Sequence, residues 1–231
     1  MQLSEATWPE VRDCETDLAV LPVGSTEQHG PHAPLGTDAL AAERVAAAGA
    51  EVYRERTGEE VPVALTIPVG IAAEHRSFDG TLWVSPDTFR AYVRETVASL
   101  AHHGFDRVVV VNGHGGNSDA LREVTGTISR ADAAYAVGFT WFESVDTEQE
   151  MGHGGPVETS LLRAIDDGLV RADELDAAAA GAPPSDQDPA ADPETIRTHH
   201  TPPQRKKARE SPPPHWRWRR SPPTVATRSA T

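Results

Sequence analysis

Residues 107–131 read RVVVVNGHGGNSDALREVTGTISRA, and this stretch decides the fold. Four consecutive valines suit a strand buried on both faces, as in a parallel sheet. The segment Asn117–Ala131 opens with Asn and Ser, which favour helix caps, and predicts a helix. A buried strand that turns sharply into a helix is the repeating unit of α/β proteins. The turn carries His114 among Gly113, Gly115 and Gly116. Glycines allow close approach of a ligand and leave the ring little to pack against. A strand's carboxyl end is also where open α/β sheets bind ligands. His114 is therefore a candidate ligating residue.

The same alternation runs through the first 180 residues. LAVLPVG (18–24), VPVALTIPVG (61–70) and AYAVGFTWF (134–142) are further predicted strands. Helices are predicted over residues 37–56, with Thr37 or Asp38 as cap, over 85–104, with Ser-Pro at its start, and over 156–165, with Pro at its first turn. Strands alternating with helices imply an α/β fold with a mostly parallel sheet covered on both faces.

Other ionisable residues gather in similar turns. GSTEQHGPHAPLGTD (24–38) leaves the end of the first predicted strand and carries Glu27, His29 and Asp38, with His32 as a spare. Carboxylate with imidazole is a ligand set for zinc, manganese or iron. Glu27 and His29 are two apart and point the same way on extended backbone. A polar loop with capping carboxylates is the plainer alternative. In MGHGGPVETSLL (151–162), His153 lies in another Gly-rich turn. Glu158 lies in a first helical turn, where the helix dipole alone accounts for it. Glu74 and His75 follow the second strand; His75 either contacts substrate or hydrogen-bonds the loop. Arg76 beside it could hold a phosphate. No function is assigned to His102, His103 or the single Cys14.

The chain has 21 basic and 35 acidic residues, a net charge of −14. The imbalance is uneven. Residues 197–231 hold nine Lys/Arg and one Glu, leaving 21 − 9 = 12 basic and 35 − 1 = 34 acidic residues before them. A body at −22 repels nucleic acid and anionic membranes and suits a high-salt, haloarchaeal cytoplasm. No run of about 18 apolar residues predicts a membrane span, and the opening MQLSEATWPEVRD lacks the pattern of a signal peptide. A cytoplasmic protein is expected. Residues 1–180 form the expected domain. Residues 181–231 are rich in Pro and Arg, which predicts a disordered or out-of-frame tail.

Taken in order and spacing, LPVGSTEQHGPHAPLGTD, EHRSFDGT, VVVNGHGGN and HGGPVETSLL resemble the motifs of the creatininase (creatinine amidohydrolase) family over about residues 18–175. The resemblance implies a three-layer α/β/α sandwich, two divalent metal ions (Zn, Fe or Mn), a homo-oligomer, usually a hexamer, and hydrolysis of a C–N bond in a small amide. It implies Glu27, His29, Asp38 and His114 as metal ligands, Asp38 bridging, and His153 as the catalytic histidine. Creatininase proper carries a ligand glutamate where this chain has Gly116. The resemblance therefore suggests that Glu158 completes the second metal position or orients His153. His75 and Arg76 remain the substrate-binding candidates. The NGHGGN form is similar to the formamide hydrolase and peptidase branches, which points to the formamide of a pyrimidine ribonucleotide in riboflavin or F420 synthesis. The alternatives are creatinine itself, or a decayed enzyme that only binds metal.

Overall fold

The computed structural model describes residues 1–131, 134–149 and 151–181. The predicted tail beyond 181 lies outside the described residues. The elements in chain order are α1 (Trp8–Arg12), β1 (Leu18–Val23), α2 (Thr37–Thr57), α3 (Pro86–His102), β2 (Arg107–Asn112), α4 (Ser118–Arg130), β3 (Tyr135–Thr140), α5 (Pro156–Ile165) and α6 (Leu175–Gly181). Short 3₁₀ turns join several of them.

The sheet is parallel throughout, in the order β1-β2-β3, with Leu21 opposite Val110 and Val110 opposite Gly138. Alternate residues feed two cores. Ala19, Leu21, Val23, Val108, Val110 and Ala136 pack with Phe89, Val93 and Val97 of α3 and Leu121, Val124 and Ile128 of α4. Val20 and Val111 pack on the opposite face with Ala46 and Ala50 of α2. Helices therefore lie on both faces, giving the α/β/α sandwich that the alternation predicts. Cover is incomplete at β3, where Tyr135, Val137 and Phe139 are exposed on one face. No described helix is long and apolar enough to cross a membrane.

Three local expectations need correction. The predicted strand at 61–70 is reduced to isolated bridges beside β1, Val20 to Val63 and Val23 to Ile67. Pro62 has no N–H to give to β1, and the register shifts by one residue between the two bridges, so regular pairing is interrupted. Neither Thr37 nor Asp38 caps α2; Gly36 occupies that position and Asp38 sits inside the first turn. Asn117 precedes α4 without a capping hydrogen bond. Its Oδ1 instead accepts from Ile71 N–H (3.0 Å), and its Nδ2 donates to the Gly24 carbonyl (3.0 Å). Ser85, by contrast, caps α3 through Thr88 N–H at 3.2 Å.

The ends of β1 and β2 both abut the first turn of α2. A Cβ at Gly24 would lie 2.5 Å from Ala39 N, and one at Gly113 would overlap the Asp38 carbonyl. Only glycine permits this approach. It brings the loops after the two strands to the helix start that carries Asp38.

Candidate metal centre

Four motif segments converge on one buried cluster. Glu27 and His29 leave β1, Asp38 opens α2, His114 follows β2, and Glu158 lies in the first turn of α5. Glu27, His29, Asp38 and His114 are at most 2 % exposed and Glu158 is 9 % exposed. His153 flanks them with its side chain 10 % exposed.

The ring nitrogens are sorted by their backbone partners. A carbonyl oxygen only accepts, so a ring nitrogen facing one carries the proton. His29 Nδ1 donates to the Glu27 carbonyl at 3.1 Å, which leaves the Nε2 lone pair facing Asp38 Oδ1 at 2.9 Å. His114 Nε2 donates to the Ile71 carbonyl at 2.8 Å. Its Nδ1 faces Asp38 Oδ2 at 3.1 Å and Glu27 Oε1 at 3.2 Å. His153 Nε2 donates to the Gln28 carbonyl, and its Nδ1 faces Glu27 Oε1 at 3.5 Å. Three imidazoles thus direct lone pairs at carboxylate oxygens.

Lone pairs facing one another need protons or a cation between them. Glu27 Oε1 and Asp38 Oδ2 are buried with no hydrogen-bond donor. Ligands bonded to zinc at about 2.0–2.2 Å sit about 3 Å from one another, which is the spacing seen here. The donor set fits divalent-cation binding: Glu27, His29, Asp38, His114 and Glu158, whose Oε2 is 3.8 Å from His29 Nε2, would hold the metal.

Without a cation, protons fill the same role. Burial disfavours a charged His29, but Asp38, Glu158 and Glu27 outweigh it and push the ring up to about 9. Burial likewise opposes charge on His114, yet Asp38 and Glu27 hold it well above its usual value. Burial, with Asp38 nearby, pushes Glu158 up to about 7 despite His29 and the Gly154 N–H. These shifts mark a strongly coupled carboxylate and imidazole centre.

The other expected residues divide. His75 is buried at the edge of the centre, with Nε2 3.9 Å from Glu27 Oε1. Arg76 is exposed and makes no ion pair among the described residues. Sequence reasoning did not single out Ser25 or Gln28. Ser25 Oγ donates to Glu27 Oε2 at 3.0 Å, which turns Oε1 inward. Neither residue type titrates, so a search for ionisable clusters passes over both. Position 116 has no room for a side chain: a Cβ there would overlap the Ile71 carbonyl and lie 2.5 Å from His114 Nε2.

The creatininase (creatinine amidohydrolase) family profile matches residues 4–225. The mycofactocin precursor peptide peptidase of Mycobacterium ulcerans (strain Agy99) is 37% identical over 175 residues, covering 74% of this chain and 64% of that protein. The creatinine amidohydrolase of Pseudomonas putida is 31% identical over 226 residues, covering 83% of each chain. A formylamino-pyrimidine nucleotide deformylase of Methanobrevibacter smithii is 29% identical over 161 residues, covering 69% of this chain and 64% of that protein. Among solved structures, a Zn–Zn-type mutant of creatininase superposes with a TM-score of 0.59 at 28% identity, covering 73% of this chain and 74% of that one. An Mn creatininase superposes with a TM-score of 0.57 at 26% identity, with coverages of 73% and 74%. The chain spans under two thirds of the length of the mycofactocin peptidases it matches, 64% and 62% for two of them. The motifs that meet in the buried centre and the profile match across most of the sequence lead to one assignment: the chain belongs to the creatininase family.

Proposed function

We propose that the protein is a metal-dependent amidohydrolase that cleaves a C–N bond in a small molecule. The observation that carries this reading is the bridging position of Asp38, whose two oxygens face His29 Nε2 at 2.9 Å and His114 Nδ1 at 3.1 Å in a buried centre. Divalent cations held there would polarise an amide carbonyl and make water acidic near neutral pH. The chain's own residues supply the rest. Glu27, His29, Asp38, His114 and Glu158 are the ligands. His153 has its ring fixed through Nε2, so Nδ1 can take a proton from the attacking water and pass it to the leaving nitrogen. Its side chain is 10 % exposed, against none for Glu27 and His29.

The formamide of a pyrimidine ribonucleotide is the preferred substrate. Its support is the similarity to a deformylase of that chemistry; the NGHGGN turn with its crowded Gly116 weighs against creatinine. A second reading, cleavage of a peptide bond, is favoured by the 37% identity to a peptide peptidase. Protein loaded with zinc, manganese or iron is to be assayed against formylamino-pyrimidine nucleotide, short peptides and creatinine. Turnover of the formamide with little on the other two supports the first reading. Turnover of peptide alone selects the second, and creatinine turnover rejects the weight placed on Gly116. A metal-loaded protein inert towards all three contradicts the hydrolase assignment and leaves a metal-binding protein.

A further inference from the structure

His75 is wired differently from the other three imidazoles. His29, His114 and His153 each spend one ring N–H on a backbone carbonyl and keep a lone pair for the centre. His75 Nδ1 instead meets the side-chain amide of Gln28, whose Nε2 lies 3.2 Å away. The amide's orientation follows from its other end, which faces the Gly30 backbone N–H at 2.9 Å. A backbone N–H only donates, so the facing atom is Oε1 and the remaining atom is the NH₂ group. An NH₂ group only donates, so His75 Nδ1 accepts. Neutral His75 therefore carries its proton on Nε2, the nitrogen turned towards Glu27 Oε1.

Gln28 sets both neighbouring rings. Its side chain places a proton on His75 Nε2, and its backbone carbonyl places a lone pair on His153 Nδ1. The two rings stack with centroids 4.7 Å apart and planes 21° apart. The centre is thus lined, side by side, by one acceptor and one donor. His75 Nε2 is near enough to Glu27 and His153 to count as a third metal ligand. Ligation, however, needs the lone pair on Nε2 and the proton on Nδ1, where it would face the Gln28 NH₂ donor to donor.

We infer that Gln28 is a positioning residue that holds His75 as a hydrogen-bond donor towards the centre, outside the coordination sphere of either cation, to receive the carbonyl oxygen of the substrate. The donor polarity stands on geometry alone; the identity of its acceptor rests on the amidohydrolase reading. A donor fixed before reaction is suited to the negative charge that grows on a carbonyl oxygen under attack.

Long-range ¹H–¹⁵N spectra of the metal-loaded protein read the tautomer directly. Wild-type His75 is expected to carry its proton on Nε2. Gln28→Glu keeps the length of the side chain and its bond to Gly30, but presents an oxygen to His75, so the proton moves to Nδ1. His75→Gln, which can place an amide donor near the same spot, keeps the full metal content. With a substrate that turns over, Gln28→Glu lowers kcat by about 100- to 1,000-fold at unchanged metal content, on the scale of losing one such donor. A purely structural role for Gln28 predicts near-wild-type kcat in that variant. The inference is overturned by a proton on Nδ1 in the wild type, by metal loss in His75→Gln, or by unchanged kcat in Gln28→Glu. If no amide turns over at all, the hydrolase reading fails while the wild-type spectra still decide the donor assignment.

Discussion

His114 Nδ1 lies 3.1 Å from Asp38 Oδ2 while the other nitrogen of the ring is held by the Ile71 carbonyl. The same carboxylate meets His29 through Oδ1 at 2.9 Å. Asp38 therefore faces both imidazoles, which is the basis of its proposed bridging role. Asp38→Ala should lower metal content to less than half of the wild-type value and abolish turnover, as read by elemental analysis of the dialysed protein. Full metal content in that variant would remove the bridging role.

His153 stands apart from this pair. Its Nδ1 is 3.5 Å from Glu27 Oε1, and its ring leans on His29 with centroids 4.2 Å apart. His153→Ala should keep both metals and reduce kcat by roughly 10²- to 10⁴-fold, the range for a lost proton-transfer group. A rate within a factor of a few of wild type would take it out of the reaction.

The metal-free protein should lose stability as pH rises. His29, raised from 6.5 to about 9, contributes stability that is complete below 6.5 and lost as pH passes through about 9. Glu158, raised from 4.5 to about 7, acts in the same direction, because the unfolded chain ionises first. Asp38 is held below its ordinary value and favours the fold wherever it stays ionised. Thermal melts of chelator-treated protein should therefore show a falling Tm between about pH 5 and 9. The gain in Tm on adding zinc or manganese should grow over the same range, since ligation requires that His29 lose its proton. A metal-free Tm that rises with pH would contradict the coupling.

Restoring a glutamate at position 116 tests how the second metal position is completed. A Cβ there would overlap the Ile71 carbonyl and crowd His114 Nε2 at 2.5 Å. Gly116→Glu and Gly116→Ala should each destabilise by about 1–3 kcal/mol, the usual cost of overpacking. Neither should raise metal content, because Glu158 already faces His29. Chemical denaturation with metal analysis would check both. A stable Gly116→Glu protein that no longer needs Glu158 for metal would refute this picture.

What the sequence revealed depended on how local each signal was. Strand β2 and helix α4 were legible because a valine run and a glycine turn fix them within a few residues. The candidate residues were legible from their Gly-rich turns and helix starts, and the structure brings Glu27, His29, Asp38, His114 and Glu158 into one buried cluster. The segment at 61–70 misled because its apolar run suggests a strand, while Pro62 and a one-residue register shift break the ladder only where β1 must pair with it. The cap of α2, read as Thr37 or Asp38, is Gly36, because Asp38 turns inward to His29 and His114. Ser25, Gln28 and the Ile71 carbonyl could not be read, because their roles exist only through the groups they face. Arg76 shows the converse: proximity to His75 in sequence did not bring its side chain inward.

Metal stoichiometry tests the central claim most directly. Protein saturated with zinc or manganese, dialysed free of excess metal and analysed against protein concentration should hold two divalent ions per chain. One ion or none, in folded protein with its ligands intact, would contradict a centre built around a bridging Asp38.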